Sequence, residues 1–599
     1  MGFIDDRFGE FWNWFTQDLS NTQRTTALAV LLAWFAVMMI LGDNVNKSQV
    51  RGVIVLVLGI AWFLLWRKFK KTAVIVLAVL LLSCSVAAYM YFTATHRRAR
   101  NLIAEAQELK KQGQYESSLE ILEDVYKLLT ISIKDHTASP EAALCLIEMS
   151  EVEIITGKWE QAETHLNETN ALWNITTQCD QHADVSLWLG EITRLRGNAS
   201  AASQLFSQAL DEYKLCNNAK GQAASLVGIG KAASIGRSPN YEKAMASCEA
   251  AARIYASIAS KVGSADVLIS EGDIQHNRGE YGQALSSYLH AQKLYREEKF
   301  WPGQTDILLK LGDLYSDQAF WDAARSQYEE ASIIAARIQS RWRRTLTEGS
   351  LGDIEQKRGY GEVALSHYRE AMKDAEAIHW DWGFTSLQVG KGYAEIHVGK
   401  FADAKADLET ALNRYRTLGL PKGEAQAQIA MGELSLERKD FPSALGNFTD
   451  ALSLLLNKRD DLVLEEELQA KALRGLAEAE RNTNRYAEAN GHYQEAFKLY
   501  AKHGNKQGQA SIFTGQGCLE QDWHHDVKKA GDLYEQALQI YQDKNIDDRR
   551  GRAGVCKVQG DLLSKVDVSR AREKYLVAYN DYQSLGDKTR ADELEPLIR

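Results

Sequence analysis

His524, His525 and Asp526 stand side by side. An imidazole pair next to a carboxylate could hold a divalent metal or act as a base. Adjacent side chains, however, leave a helix in different directions and cannot close on one ion. The triplet also falls at a helix–helix corner of the pattern described below, so a solvated turn is the simpler reading. Elsewhere no GxSxG, HExxH or Cys/His arrangement occurs, and no glycine cluster follows a strand as a phosphate loop requires. The seven cysteines (84, 145, 179, 216, 248, 518, 556) are scattered without a CxxC pair, as expected of free, mostly buried thiols in a reducing compartment. These residues predict no enzyme, no metal and no cofactor.

The elements that must carry any function are helices, because one motif repeats. "SEGDIQHNRGEYGQALSSYLHAQKLY" from Ser270, "KLGDLYSDQAFWDAARSQYEEASIIA" from Lys310 and "SLGDIEQKRGYGEVALSHYREAMKDA" from Ser350 align without gaps at a period of 40. A small residue marks each of twelve copies, from Ser118 and Ala162 to Ala530 and Ala571. A glycine precedes it by twelve residues (190, 272, 312, 352, 392, 432), and a second alanine follows by seven in most copies. Phe or Tyr usually stands between the alanines, as at Phe206, Tyr288, Tyr328 and Tyr368. The small residues let a helix A and a helix B approach closely, and the aromatic fills the gap toward the neighbouring copy. No copy can bury its apolar face alone, so copies must stack. Trp301, Trp342, Trp380 and Trp382 gather at the junctions. They read as packing between successive copies, or as an anchor for a partner.

This pattern resembles the tetratricopeptide repeat (TPR) family over residues 101–590. It departs in its period, 40 against the usual 34, and lacks the closing proline. Glycines near the start of helix A ("VGSA" 262–265, "PGQT" 302–305, "KGEA" 422–425) make it similar to Pins-type scaffolds and kinesin light chains. The resemblance implies an all-α, right-handed superhelix of helix pairs whose A helices line a concave, peptide-binding face. Counting forward from the glycine then gives the candidates. They are Glu191 and Arg194 in repeat 3, Asp273, His276 and Asn277 in repeat 5, and Asp313, Ser316 and Asp317 in repeat 6. Repeat 7 adds Asp353, Gln356 and Lys357, repeat 8 Tyr393 and His397, repeat 9 Glu433 and Glu437, and repeat 10 Glu478, Arg481 and Asn482. The acidic middle of this row suggests a basic or amide-rich peptide partner.

The first hundred residues differ. They carry +6, leaving −16 on the other 499, and an acidic body argues against nucleic acid. Three uncharged runs, 25–42, 52–66 and 72–93, suit a bilayer core about 30 Å thick, the middle one only with its flanks at the interface. Trp34, Trp62 and Trp66 are the expected anchors in this region. Residues 1–24 place Phe11, Trp12 and Phe15 on one helical face, as in a helix lying in the membrane interface. The basic stretch 67–71 and "HRRAR" at 96–100 pull the topology in opposite directions. The free thiols and the cytosolic habit of such repeats favour a cytoplasmic solenoid.

The sequence therefore predicts a transmembrane region over 25–95, about twelve repeats over 101–590 and a tail at 591–599. It reads as an integral membrane scaffold that binds a protein or peptide partner beside a lipid bilayer, with self-association left open. The alternative is a membrane effector in which the solenoid senses a ligand or partner and the spans oligomerise to perturb or conduct across the bilayer.

Overall fold

The computed structural model describes residues 70–132, 140–172, 179–235, 239–456, 466–543, 546 and 548–599. These residues form α-helices and one short π-helical turn at Glu520–His524, with no strand among them. The chain divides into two units.

The first unit comprises Met1–Ala104 and Asp124–Thr137. Its described parts, 70–104 and 124–132, are helical. Among the described residues no helix is long and apolar enough to cross a membrane. The expected interfacial helix at 1–24 and spans at 25–42 and 52–66, with Phe11, Trp12, Phe15, Trp34, Trp62 and Trp66, lie outside the described residues. The 72–93 run falls on the helix Lys70–Gln112, and most of its side chains also lie outside the description.

The second unit, Glu105–Glu123 and Ala138–Arg599, is the solenoid. Helix pairs follow one another as the period requires, for example Lys261–Asn277 with Tyr281–Glu297 and Trp301–Asp317 with Trp321–Arg337. Both turns of a repeat end a helix in the left-handed region, as at Gly279 (φ +76°) and Ala259 (φ +53°). The backbone N–H groups just beyond then satisfy the last carbonyls, Glu280 N–H donating to Gln275 O at 2.8 Å. Side chains cap several helix starts. Asn218, Ser260, Asn505 and Asp548 each accept from the N–H three residues on. Residues 591–599, expected as a tail, lie almost wholly on a final helix, Lys588–Ile598, with Ala591 and Leu594 buried.

The repeating glycines make room for the repeating aromatics. A Cβ at Gly190 or at Gly228 would meet the Phe206 ring, at 2.9 and 2.5 Å. One ring is thus wedged between the A helix of its own repeat and that of the next. Phe448 sits the same way between Gly432 and Gly475. A second aromatic series has its own glycine, since a Cβ at Gly263 would stand 2.3 Å from Tyr255 and one at Gly423 2.3 Å from Tyr415. Gly312→Ala drives a Cβ to 2.3 Å from Tyr328 and is expected to cost about 1–3 kcal/mol. Gly446→Ala, with nothing within 4 Å, is expected to stabilise its helix by about 0.5–1 kcal/mol. Denaturant titration of the two variants checks the contrast.

The solenoid also winds back on itself. The turn between helices A and B of one repeat meets the turn leading into helix A of a repeat two hundred and more residues later. Arg343 donates to the Tyr115 hydroxyl at 2.9 Å, 228 residues away, and Trp342 N–H donates to Glu116 at 3.3 Å, 226 residues away. Tyr281 donates to the His503 carbonyl at 2.9 Å, 222 residues away. At 40 residues a repeat, the offset is about five and a half repeats. Aromatics seal this seam. Ring centroids lie 6.2 Å apart for Tyr115–Trp342, 5.6 Å for Trp380–Trp382 and 5.4 Å for Trp159–Trp382. Trp342, Trp380 and Trp382, expected between successive repeats, thus pack across successive windings as well. Trp301 instead carries the Arg337 guanidinium 4.2 Å above its ring.

Cys145, Cys248, Cys518 and Cys556 stand outside any disulfide, whereas Cys216 is disulfide-bonded. The expectation that every thiol is unpaired is therefore corrected at Cys216.

Candidate partner-binding groove

A polar cavity of about 650 Å³ opens along the A helices of repeats 3 to 7. Nine of the sequence-predicted residues line it: Arg194, Asp273, His276, Asn277, Asp313, Ser316, Asp317, Asp353 and Lys357. The helical period brings them together. Positions one, four and five after the glycine share a face, and stacking repeats at 40-residue intervals lines those faces up. Glu191 stands beside the cavity, holding Arg194 by hydrogen bonds of 2.8 and 2.6 Å.

The glycine-following aspartates are tied to the repeat architecture. Asp273, Asp313 and Asp353 accept from the hydroxyls of Tyr288, Tyr328 and Tyr368 at 2.6, 2.7 and 2.6 Å. These are the same tyrosines whose rings fill the glycine gaps. Gln356 accepts from Tyr368 at 2.9 Å. Other bonds link neighbouring repeats. Lys310 donates to Asp273 at 3.1 Å, His276 Nε2 lies 2.9 Å from Asp317, and Lys357 donates to Ser316 at 2.8 Å. Burial pushes the Asp313 and Asp353 carboxyls up. Burial also opposes ionisation of Asp273, yet the Lys310 ammonium and the Tyr288 hydroxyl hold it below the usual range.

The lining is not the acidic strip expected from the row. Four cations, Arg194, Lys231, Lys310 and Lys357, face four carboxylates, Asp273, Asp313, Asp317 and Asp353. Counting forward from a glycine twelve residues before the alanine missed Lys310, which lies two residues before Gly312, and Lys231, which directly follows Gly230, a glycine displaced by two residues against its repeat's alanine. Ordinary helical geometry could have found both, because positions −2, +1, +4 and +5 around the glycine share one face.

The remaining candidates do not join this cavity. Glu433 pairs with Arg474, which lies 3.5 Å from Glu478, and Arg481 pairs with Asp522 at 2.5 Å, a ladder along repeats 9 to 11. Tyr393 packs partly buried within the core of repeats 8 to 10. His397 and Glu437 instead meet the end of the chain through the seam. Arg550 donates to the His397 carbonyl at 3.2 Å, and Arg590 pairs with Glu437. Burial, then the Arg550 and Arg590 guanidiniums, push the His397 imidazole well below its ordinary range. The His524–His525–Asp526 triplet closes a turn. His524 Nδ1 lies 2.7 Å from Glu520, His525 takes the left-handed conformation, and Asp526 caps the next helix. No set of residues able to hold a metal occurs among the described residues.

A tyrosine–aspartate pair also occurs without a neutralising lysine, and there it titrates. Asp184 accepts from the Tyr213 hydroxyl, and burial lifts its carboxyl from 3.8 to about 6. The folded chain thus holds this proton more tightly than the unfolded chain. The associated stability is complete below pH 3.8 and is lost as pH rises through about 6. Asp184→Asn keeps an acceptor for Tyr213 without the charge. It is expected to raise stability at pH 7.5 by on the order of 1 kcal/mol and to flatten the pH 4–7 stability profile, as thermal melts across that range would record.

A family model described as "Soluble NSF attachment protein, SNAP" matches residues 158–349. No curated protein matches the chain. Among solved structures, the chain is similar to the APC/C hetero-tetramer Cut9–Hcn1, at 12% identity and TM-score 0.43, over 92% of this chain and 95% of that one. It is also similar to yeast Tom70, at 14% identity and TM-score 0.35, over 80% of this chain and 99% of that one. A third is the apo quorum sensor NprR from B. thuringiensis, at 13% identity and TM-score 0.37, over 59% of this chain and 97% of that one. With the repeats, the helix pairs and the family match taken together, the chain is a TPR-like helical-repeat solenoid.

Proposed function

We propose that the protein is a membrane-anchored scaffold whose solenoid binds an extended segment of a protein partner in the groove of repeats 3 to 7. The observation that carries this reading is the cavity of about 650 Å³ with four cations and four carboxylates along its wall. A wall of alternating charge offers donors and acceptors to a peptide backbone as well as to side chains of either sign, so the partner segment is mixed in charge rather than basic. The anchoring half of the proposal rests on the uncharged runs at 25–42, 52–66 and 72–93. A SNAP-type match over repeats 2 to 6 supports an attachment role for the same part of the solenoid.

The test must spare the tyrosine–aspartate pairs, since charge reversal there would damage the fold. Asp313→Asn and Asp353→Asn retain an acceptor, and Lys357→Glu reverses a groove charge. Lys357→Glu is expected to lower recovery of the co-purifying partner at least tenfold, about 1.4 kcal/mol, with an unchanged melting profile. Unchanged recovery in all three variants contradicts the groove. Removal of residues 1–95 is expected to abolish co-flotation with liposomes, and retained flotation contradicts the anchor.

A further inference from the structure

The seam within the chain has two kinds of edge, and each is left open at one end of the solenoid. Where a later winding packs closely on the A–B edge, Tyr115 and Trp321 are each only 5% exposed, and Tyr281, which meets His503, is half-buried. In repeats 11 and 12 no later winding exists. The residues at the same repeat position, Val527 and Val568, are 49% and 73% exposed, and Val566 beside them is 74% exposed. The opposite edge behaves in the same way. Ile338, Ile378 and Leu585 end their B helices at 6%, 5% and 6% exposure, whereas Ile258, at the equivalent position in repeat 4, is 41% exposed. Val527, Val568 and Ile258 thus keep an apolar side chain at the sealing position where this chain has nothing to seal, although the equivalent residue of repeat 5 is Glu298.

We infer that a second copy of this chain docks head to tail, the A–B edge of repeats 11 and 12 in one copy covering the early B–A edge around Ile258 in the next. The occupant follows from continuity with the seam. The two open edges are the two halves of an interface that the chain already makes with itself at an offset of about five and a half repeats, and one chain carries both halves. Such a contact is heterologous. It leaves a free edge at each end of a pair and so continues to further copies. The Trp523 ring, 38% exposed and stacked 4.3 Å from the His524 ring, extends the trailing edge with an aromatic like those inside the seam. Docking through these edges is independent of what the groove holds.

The test uses the full chain in detergent and follows its mass by sedimentation velocity over a wide concentration range. The wild type is expected to grow past two copies without a plateau. Ile258→Asp and Val568→Asp each remove one edge, and each alone is expected to stay a single copy. An equimolar mixture of the two variants is expected to stop at two copies, because one intact edge of each kind remains. Ile258→Asn and Val566→Asp serve as second variants, and thermal melts equal to wild type establish that the exposed positions tolerate the change. A wild type that stays single at every concentration overturns the proposal. So does association that survives in both edge variants, which would place the contact elsewhere, for instance in the N-terminal runs. A mixture that yields no two-copy species also overturns it.

Discussion

Arg343→Ala is expected to unfasten the first winding of the solenoid from the second, at a cost of about 3 kcal/mol. Arg343 is 1% exposed and stands where the repeats before and after it have Gly263, Gly303, Gly383 and Gly423. Those glycines mostly make room for a tyrosine at the end of the preceding B helix, as Gly303 does for Tyr295. In repeat 6 that tyrosine is Ala335. The space passes to the arginine, and so does the tyrosine's partner. Asp266 accepts from Tyr295, whereas Asp306, forty residues on, accepts two bonds of 3.0 Å from Arg343. The guanidinium also donates to Tyr115 and lies 4.8 Å from that ring and 5.4 Å from Trp342. Asp306 is half exposed and can rehydrate when the arginine is lost, which places the cost at the lower end for a broken buried pair. Arg343→Met keeps the stem and is expected to cost about half as much. A solenoid opens locally rather than all at once. The readout is therefore amide hydrogen exchange, with faster exchange over 105–123 and around 341–346 and no change over repeats 9 to 11.

Gly157→Ala is expected to open the next contact along the same seam, at about 2–5 kcal/mol. Two costs combine. Gly157 has φ +78°, a conformation that costs an L-residue about 1–2 kcal/mol. A Cβ there would also stand 2.1 Å from Trp380 Nε1, inside the indole that joins Trp342 to Trp382, and such overpacking adds about 1–3 kcal/mol. Gly279→Ala has φ +76° with nothing within 4 Å and isolates the backbone cost. The expected result is a loss for Gly157→Ala about twice that for Gly279→Ala in denaturant titration. Equal losses would mean that the indole yields and the seam is soft.

The repeat is legible in the sequence because its physics is local. A missing side chain must face a ring a fixed number of residues away, so Gly312 and Tyr328 can be paired by spacing alone. The groove residues are legible for the same reason up to repeat 7. The seam is not, because whether Tyr115 meets Trp342 depends on small rotations accumulated over some five and a half repeats, and no local spacing encodes their sum. On that account His397 and Glu437 have partners that a count from the glycine does not show. Their positions are right for helix A, but Arg550 and Arg590 arrive from a winding that a single repeat does not reveal. The acidic reading of the row failed differently. The aspartates recur at an even spacing and catch the eye, whereas Lys310 stands before its glycine and Lys231 follows a glycine displaced by two residues. One seam signal was present in the letters, namely the replacement of a recurring glycine by Arg343 directly after the repeat that loses its tyrosine to Ala335.

The central claim is that the partner lies in the groove of repeats 3 to 7, and site-specific photo-crosslinking in native membranes tests it most directly. A photoreactive residue at Asn277 or Ser350, both lining the cavity, is compared with one at Glu249 or Lys293, both exposed on B helices. The account predicts discrete protein adducts from Asn277 and Ser350 that disappear in the Lys357→Glu background, and none from Glu249 or Lys293. Adducts from the outer positions alone, or no adduct from either groove position, would contradict it.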